Sequence, residues 1–265
     1  MWKESLGIIF VISSLFCACT PHFAKVGASN AVSKEETLNA VSKYIVEDME
    51  SSTAEIVVIE KNGSVMRCTA FAYKRSNYLY RFITAAHCVA KDDKKNKKVN
   101  IFADKINLVI ENKKTKIVRT YPAKLIAAGY NGIDDDFAIL EADLDQHVPI
   151  LSLSFGTPIL KECVFSVGRK NKSNRNIFYG HVYKLYYARS GSFIVRMLSG
   201  EVPNGTSGSA IVSCSSGKIM AIVVAATRKD PKQTIVFPIT RFLKFEEKIK
   251  NETYKYPPST KKGNN

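Results

Sequence analysis

The sequence predicts an all-β protein, a barrel or a sandwich, with a helix at each end. Two observations lead to this prediction. Short runs rich in Val, Ile, Phe and Tyr recur from residue 55 to residue 239, and turn-forming residues separate many of them. Few stretches between these limits have the period of a helix. Many short strands bounded by turn signals are typical of all-β barrels and sandwiches.

The predicted strands follow in order along the chain. The earlier ones read EIVVIE, CTAFAY, YLYRFITAA, VNIFA and FAILEA. The later ones read CVFSVG, GHVYKLYYA, SFIVRML, SAIVSC, IMAIVVAA and TIVFPI. Pairs such as Asn62-Gly63, Ser190-Gly191 and Ser216-Gly217 supply the turns.

A helix is predicted on each side of this strand-rich region. Before it, apolar residues spaced through 29–52 favour an amphipathic helix. After it, Ile239, Phe242 and Phe245 lie on one helical face, and Thr240 is the predicted cap. The residues beyond Asn251 form a Lys-, Pro- and Ser-rich stretch that predicts a disordered tail.

The first residues predict export. Lys3 precedes an apolar run from Leu6 to Cys19 that is too short to span a bilayer and ends in small residues, as in a signal peptide. The sequence FCAC resembles a loose lipoprotein box, although Phe16 departs from it. Cys19 is therefore either a lipidation site or part of an ordinary cleavage site, and a lipid on Cys19 is the only membrane attachment we predict.

The formal net charge of +15 allows two interpretations. Lysines concentrated in 91–98 and beyond Lys244 are either solvated loops and a basic tail, or an attraction to an anionic envelope surface such as lipid headgroups. Nucleic acid is not a predicted partner, because no aromatic-basic interleaving or binding motif accompanies the charge.

Four cysteines remain once the signal is removed: Cys68, Cys88, Cys163 and Cys214. An even set in an exported protein predicts disulfides, and four cysteines allow three pairings. Their wide spacing is not that of a zinc site, so we predict no metal.

Three segments carry chemistry. His87 stands in FITAAHC, directly before one of the four cysteines. Asp136 comes immediately before the apolar run FAILEA, where a carboxylate needs a specific partner. Ser207 lies in G-T-S-G, with Gly205 and Gly208 freeing the backbone on both sides.

Together these segments resemble the trypsin-like serine proteases, in that family's order of His, Asp and Ser. The resemblance covers 54–250 and implies two Greek-key β-barrels of the chymotrypsin type, about 54–145 and 159–238, and a carboxy-terminal helix at 239–250. The remaining predicted parts are a signal peptide at 1–19, an amino-terminal helical extension at 20–53 and the tail at 251–265.

The resemblance also implies the site. His87 would accept the proton of Ser207, Asp136 would orient the imidazole, and the N–H groups of Gly205 and Ser207 would form the oxyanion hole. No cofactor is implied, and the substrate is a protein or peptide. The implied disulfides join Cys68 to Cys88 and Cys163 to Cys214.

Primary specificity leaves alternatives open. Glu201 lies six residues before Ser207, where a buried acid would favour Lys or Arg in the substrate; the other interpretation is an exposed turn residue. Ala225 and Ala226 match the family's segment that pairs with the substrate backbone. Thr206 replaces the Asp with which many animal relatives bind a new amino terminus, so we expect a bacterial type that is active without that ion pair.

The predicted function is an exported serine endopeptidase of a bacterial periplasm, cell envelope or secretome. An N-glycosylation sequon on the oxyanion loop itself, Asn204-Gly205-Thr206, disfavours a eukaryotic secretory route. The alternative is a catalytically silent binding protein on the same fold. A third interpretation is an enzyme inhibited by its own residues 29–52.

Overall fold

A computed structural model describes residues 43–93, 98–129, 136–170, 174–185 and 191–251. The predicted signal peptide, Cys19 and nearly all of the predicted tail lie outside the described residues, as does most of the predicted amino-terminal helix. The described part of the chain has no helix long and apolar enough to cross a membrane.

The described residues form mainly strands. In the first half these are β1 (Thr53–Glu60), β2 (Val65–Ser76), β3 (Leu79–Thr84), β4 (Ala90–Asp93), β5 (Lys98–Ile101), β6 (Ala103–Glu111), β7 (Val118–Gly129) and β8 (Phe137–Asp143). In the second half they are β9 (Cys163–Lys170), β10 (Asn174–Lys184), β11 (Phe193–Met197), β12 (Ala210–Ser213), β13 (Ile219–Ala226) and β14 (Gln233–Pro238). The helices are α1 (Lys43–Ser52), α2 (Ile239–Lys250) and one 3₁₀ turn (Ala86–Cys88).

Twelve of these strands close into two antiparallel barrels. Barrel 1 has the order β1-β2-β3-β8-β7-β6, and barrel 2 has the order β10-β11-β14-β13-β12-β9. Strands β4 and β5 form a separate two-stranded sheet. The predicted fold class is confirmed: two six-stranded barrels of the chymotrypsin type with a helix at each end.

The barrels close because apolar side chains fill their interiors. Among the largest fully buried side chains are Phe71, Phe82 and Phe137 in barrel 1, and Phe165 and Phe193 in barrel 2. Burying each such ring stabilises the fold by roughly 2–3 kcal/mol relative to leaving it exposed. The predicted turn at Asn62-Gly63 joins β1 to β2, and Gly63 there has φ +84°.

Helix α2 lies beside β13 and β14 of barrel 2, and its aromatic side chains also contact barrel 1. Its buried residues are Ile239, Phe242 and Phe245, as the sequence predicts. The ring of Phe242 lies 5.1 Å from that of Tyr73 and 5.7 Å from that of Phe137. The predicted cap at Thr240 is wrong, because the helix begins at Ile239 directly after Pro238, whose φ of −57° and missing N–H suit a helix start.

Helix α1 enters barrel 1 without a loop. The hydroxyls of Ser52 and Thr53 both donate to the carbonyl oxygen of Met49, at 2.9 and 2.7 Å. These bonds satisfy a carbonyl at the helix end, where intrahelical donors run out. Met49 itself is fully buried in the core.

Two disulfides settle the three pairings that the sequence left open. Cys68 is joined to Cys88 in barrel 1, and Cys163 is joined to Cys214 in barrel 2. Disulfides persist in oxidising compartments, so this pair indicates an exported protein.

Candidate active site

The histidine of the site is fixed from both sides. His87 lies in the 3₁₀ turn that follows β3, and its neighbour Cys88 is joined to Cys68 on β2. The main-chain N–H of His87 donates to Asp136 Oδ1 at 2.8 Å. Its ring Nδ1 lies 2.7 Å from Asp136 Oδ2.

Asp136 is buried immediately before β8, with 3% of its surface exposed. Its two carboxylate oxygens accept one hydrogen bond each from His87. A carboxylate only accepts hydrogen bonds, so the proton of the imidazole resides on Nδ1. The other ring nitrogen, Nε2, is then an acceptor, as a general base requires.

Ser207 reaches the same region from barrel 2, on the loop between β11 and β12. The main-chain N–H of Thr69, on β2, donates to the carbonyl oxygen of Ser207 at 2.9 Å. The Thr69 hydroxyl donates to the carbonyl oxygen of Gly205 at 2.8 Å. The loop between β11 and β12 that carries Ser207, here called the serine loop, is therefore bound to β2 at Thr69, next to Cys68.

Gly208 packs directly against barrel 1. Its φ is +86°, and a Cβ there would overlap the carbonyl oxygen of Thr69 and the hydroxyl of Thr84. Its N–H donates to the carbonyl oxygen of Val223, on β13, at 2.8 Å. Only glycine fits, because the position needs both a left-handed backbone and no side chain.

The serine loop leaves two adjacent donors without acceptors. The N–H groups of Thr206, Gly208 and Ser209 each donate to a carbonyl oxygen, at 3.4, 2.8 and 2.9 Å. Within the described part of the chain, those of Gly205 and Ser207 have no acceptor. Buried or half-buried N–H groups are rarely left unpaired, and these two belong to the residues on either side of Thr206.

Thr206 holds the loop without an ion pair. It is 3% exposed, and its hydroxyl donates to the carbonyl oxygen of Pro203 at 2.8 Å. Its methyl group leaves no space for a Cβ at Gly168. A neutral side chain thus occupies the position at which the family resemblance implies an Asp in many animal relatives.

The Ser207 hydroxyl has its own contact. It donates to the carbonyl oxygen of Val224 at 3.5 Å. Among the described residues it has no hydrogen bond to His87. Ser207 nevertheless lies close to the residue that follows His87, because Cys88 Sγ is 4.0 Å from the carbonyl oxygen of Ser207.

The comparisons with known proteins agree with this geometry. A sequence model described as a trypsin-like peptidase domain matches residues 68–222, which is more than half of the chain. This chain belongs to the trypsin-like peptidase family. No curated protein matches it by sequence.

Solved structures of proteases share the fold of this trypsin-like chain. The active form of the Rv3671c protease from M. tuberculosis superposes with a TM-score of 0.61 at 18% identity, covering 83% of this chain and 88% of that one. A serine endoprotease from Yersinia pestis gives 0.58 at 17% identity, covering 79% and 66%. At such identities the likeness shows the fold, and with the family it supports a serine protease-type hydrolase.

One edge of the trypsin-like domain is open beside Ser207. The pairing of β13 with β12 reaches from Ile219 to Ile222, whereas β14 pairs as far as Ala226. Ala225 and Ala226 are exposed at this end of β13. The two alanines lie one and two residues beyond Val224, whose carbonyl oxygen accepts from Ser207.

Glu201 is exposed on the serine loop. This agrees with the interpretation of Glu201 as a turn residue at the surface. A buried carboxylate at the base of a pocket is not what the described residues form at this position.

Cys68, His87 and Cys88 place three potential metal-ligand atoms within 4.8 Å of one another. Both sulfurs belong to one disulfide. A cysteine binds a metal as a thiolate, and neither sulfur of a disulfide is one. These three residues therefore do not fit a metal site.

Three contributors to the site were missed in the sequence. Thr69 donates to the serine loop, and Thr84 donates to the carbonyl oxygen of Thr69. The carbonyl oxygen of Val224 accepts from the Ser207 hydroxyl. The adjacency of Thr69 to Cys68 was the one available signal. Main-chain carbonyls carry no signal in a sequence at all.

Proposed function

We propose that this protein is an exported serine endopeptidase that hydrolyses peptide bonds through Ser207, His87 and Asp136. The observation that supports this most strongly is the pair of acceptor-free N–H groups at Gly205 and Ser207, next to the His87–Asp136 pair. A binding surface has no need of an imidazole that is held in place by a buried carboxylate.

The reaction would proceed in two halves. His87 Nε2 takes the proton of Ser207 as its oxygen attacks the substrate carbonyl, and the amine product leaves with that proton. The N–H groups of Gly205 and Ser207 stabilise the oxyanion, each by about 3 kcal/mol. Water then repeats the sequence on the acyl-enzyme and releases the second product.

Before attack, Ser207 has to turn its hydroxyl from Val224 towards His87. Rotation of a serine about χ1 moves between staggered positions and needs no backbone change. The alternative function, a catalytically silent binding protein on the same fold, is favoured by the one observation that the Ser207 hydroxyl bonds Val224.

A fluorophosphonate probe separates these functions, because it labels only an activated serine. We expect labelling of the native protein and none of Ser207→Ala. Gly205→Ala should label more slowly, because a side chain at φ +93° strains the backbone that positions the Gly205 N–H group. Equal absence of labelling in the native protein and Ser207→Ala would favour the binding protein.

Substrate specificity follows from cleavage of a diverse peptide library. The open edge at Ala225 and Ala226 would pair with the residues before the cut as an added strand. Glu201 supports a preference for Lys or Arg only if bound substrate covers its side chain. Enrichment of Lys or Arg directly before the cut would support that role, and any other preference would remove it.

Localisation and anchoring are also proposals. We propose a bacterial periplasm or cell envelope, or secretion, with the lipid on Cys19 and the anionic envelope surface as the two candidate attachments. Intact mass after export distinguishes lipidated Cys19 from ordinary cleavage. Peptidase rates with and without residues 29–52 test whether that segment is inhibitory.

A further inference from the structure

A recess lies beside the serine loop. It has a volume of about 360 Å³ and is lined by Glu55 of β1, the first residues of β2 from Val65 to Cys68, and the loop residues Asn204 and Gly205. Gly205 supplies one of the two acceptor-free N–H groups. The recess therefore borders the proposed oxyanion position directly.

The serine loop contacts both β2, which lines the recess, and β13, which carries the open strand edge. Thr69 of β2 donates to the carbonyl oxygens of Ser207 and Gly205. The Ser207 hydroxyl contacts Val224 on β13, which continues to Ala225. Under the proposed function, a peptide that pairs with β13 before its cleaved bond would continue past Ser207 towards β2.

The recess holds one ion pair, between Glu55 and Arg67. Arg67 Nη1 lies 2.6 Å from Glu55 Oε1, and the two side chains are 39% and 5% exposed. Because the carboxylate is buried and the guanidinium is half-exposed, an incoming ligand meets the cation. Within the described part of the chain, the other nitrogens of Arg67 have no hydrogen-bond partner.

A guanidinium held in this way suits a carboxylate. Its planar array of N–H donors can bind two carboxylate oxygens at once, and Glu55 fixes its orientation before a ligand arrives. Arg67 and Thr69 are two residues apart on β2, a distance of about 7 Å along a strand. Two residues of extended substrate span the same distance.

We propose that Arg67 selects substrates with Asp or Glu at the second residue after the cleaved bond. This inference rests on the proposed endopeptidase function and adds a preference on the leaving-group side, apart from anything Glu201 contributes. Glu55 acts as a positioning residue, because it orients the guanidinium and does not itself meet the substrate.

The test uses matched peptides taken from sequences that the library experiment shows to be cut. Each pair differs only in Glu against Gln, or Asp against Asn, at the second residue after the cut. We expect kcat/KM to favour the acid by about fivefold, the size of a partly exposed ion pair. The ratio should shrink towards one when the salt concentration is raised to about 0.5 M, because salt screens exposed charges.

Variants then assign the ratio to Arg67. Arg67→Gln should reduce the acid-to-amide ratio to about one, and Arg67→Lys should retain part of it. If Arg67→Gln leaves the buried Glu55 charge uncompensated and fails to fold, the double variant with Glu55→Gln removes both charges and allows the same measurement. Arg75→Gln is the control, since it removes one exposed positive charge from the same strand, away from the recess.

Each outcome has a separate meaning. A ratio above one that is lost with Arg67 and kept with Arg75→Gln supports the proposal. Cleavage with a ratio of one in the native protein overturns the proposal and leaves the endopeptidase intact. Absence of both cleavage and fluorophosphonate labelling overturns the proposed function, and the preference at Arg67 with it.

Discussion

Thr53 and Thr234 are both buried threonines, yet among the described residues only the hydroxyl of Thr53 has a hydrogen-bond partner. Thr53 Oγ1 donates to Met49 at 2.7 Å. Thr234 is fully buried on β14, and its Oγ1 has no hydrogen-bond partner among the described residues. A buried hydroxyl without a partner costs free energy, whereas a paired one stabilises the fold by about 1 kcal/mol.

Replacing each threonine with valine should therefore have opposite results. We expect Thr234→Val to leave the free energy of unfolding unchanged or raise it by up to about 1 kcal/mol, and Thr53→Val to lower it by about 1 kcal/mol. Urea unfolding of both variants measures the difference. An equal loss in Thr234→Val would mean that the hydroxyl is bonded after all.

His181 provides a prediction about pH. Burial, followed by the nearby charges of Arg196 and Lys161, lowers the pKa of His181 below its ordinary value of 6.5. Below about pH 6.5 the imidazole of His181 is protonated in the unfolded chain, whereas the folded protein resists this protonation. The free energy of unfolding therefore falls as the pH falls. Above about pH 6.5, both states are neutral and the effect is absent.

His181→Asn should remove this dependence. Between about pH 7.5 and about pH 5 the variant should lose less stability than the native protein. Urea unfolding at both pH values measures the two losses. His147→Asn is the control, because His147 is exposed; an identical loss in His181→Asn and the native protein contradicts the prediction.

The sequence predicts His87, Asp136 and Ser207 as site residues, and it does not predict the contacts that hold them. His87, Asp136 and Ser207 stand in short motifs whose residue types are needed side by side. Thr69 and Arg67 act through tertiary contacts with distant residues, 136 positions away in the case of Thr69 and Gly205. Nothing local in RCTAFAY, residues 67–73, distinguishes those roles from ordinary strand residues.

At the scale of elements, α2 supports the site from behind. Phe137, which directly follows Asp136, packs against Phe242 and Phe245 of the helix. Tyr73 contacts Phe242 and donates its hydroxyl to Glu246 at 3.2 Å, and burial together with that carboxylate raises the pKa of Tyr73. The helix thus packs against Phe137, the first residue of β8, directly next to the site carboxylate.

Phe242→Ala should test this support. Loss of a fully buried ring lowers the free energy of unfolding by about 3–5 kcal/mol. Under the proposed function, kcat should also fall in the molecules that remain folded, because Asp136 loses the packing of its neighbour. Lys244→Ala, exposed on the same helix, should change stability by less than about 0.5 kcal/mol; an equal effect of both variants contradicts the prediction.

The periodicity of 239–250 predicts the buried face of α2 correctly, but the predicted cap at Thr240 is wrong. A 3.6-residue pattern shows which side chains share a face, and it contains no information about the surface they meet. The cap prediction depends on residue type alone, and Thr240 lies inside the helix. Pro238 ends β14 and begins the helix at the next residue.

At the scale of the whole molecule, the site exists only between the two barrels. His87 and Asp136 belong to barrel 1, whereas Ser207 belongs to barrel 2. Strand patterns and turn signals predicted many short strands, and the ordered motifs predicted that there are two barrels. The contact between barrels could not be predicted, because it depends on the shapes of two finished surfaces.

Gly208→Ala should disturb the contact between the serine loop and barrel 1. A methyl group would overlap Thr69 and Thr84, and φ is +86°. We expect a loss of about 3 kcal/mol or more in stability, and loss of fluorophosphonate labelling. Gly63→Ala is the matched control, since its φ is +84° with nothing within 4 Å, and strain alone should cost about 1–2 kcal/mol. Similar losses in both variants would mean that the backbone angle alone matters.

The division of the site between barrels bears on how the cell makes this protein. A nascent chain that has left the ribosome as far as residue 200 already carries the imidazole and the carboxylate, but its alcohol has yet to be translated. Under the proposed function, a precursor that stops before Ser207 cannot cleave the proteins of its host, and peptidase activity arises only after the second barrel has formed and packed against the first.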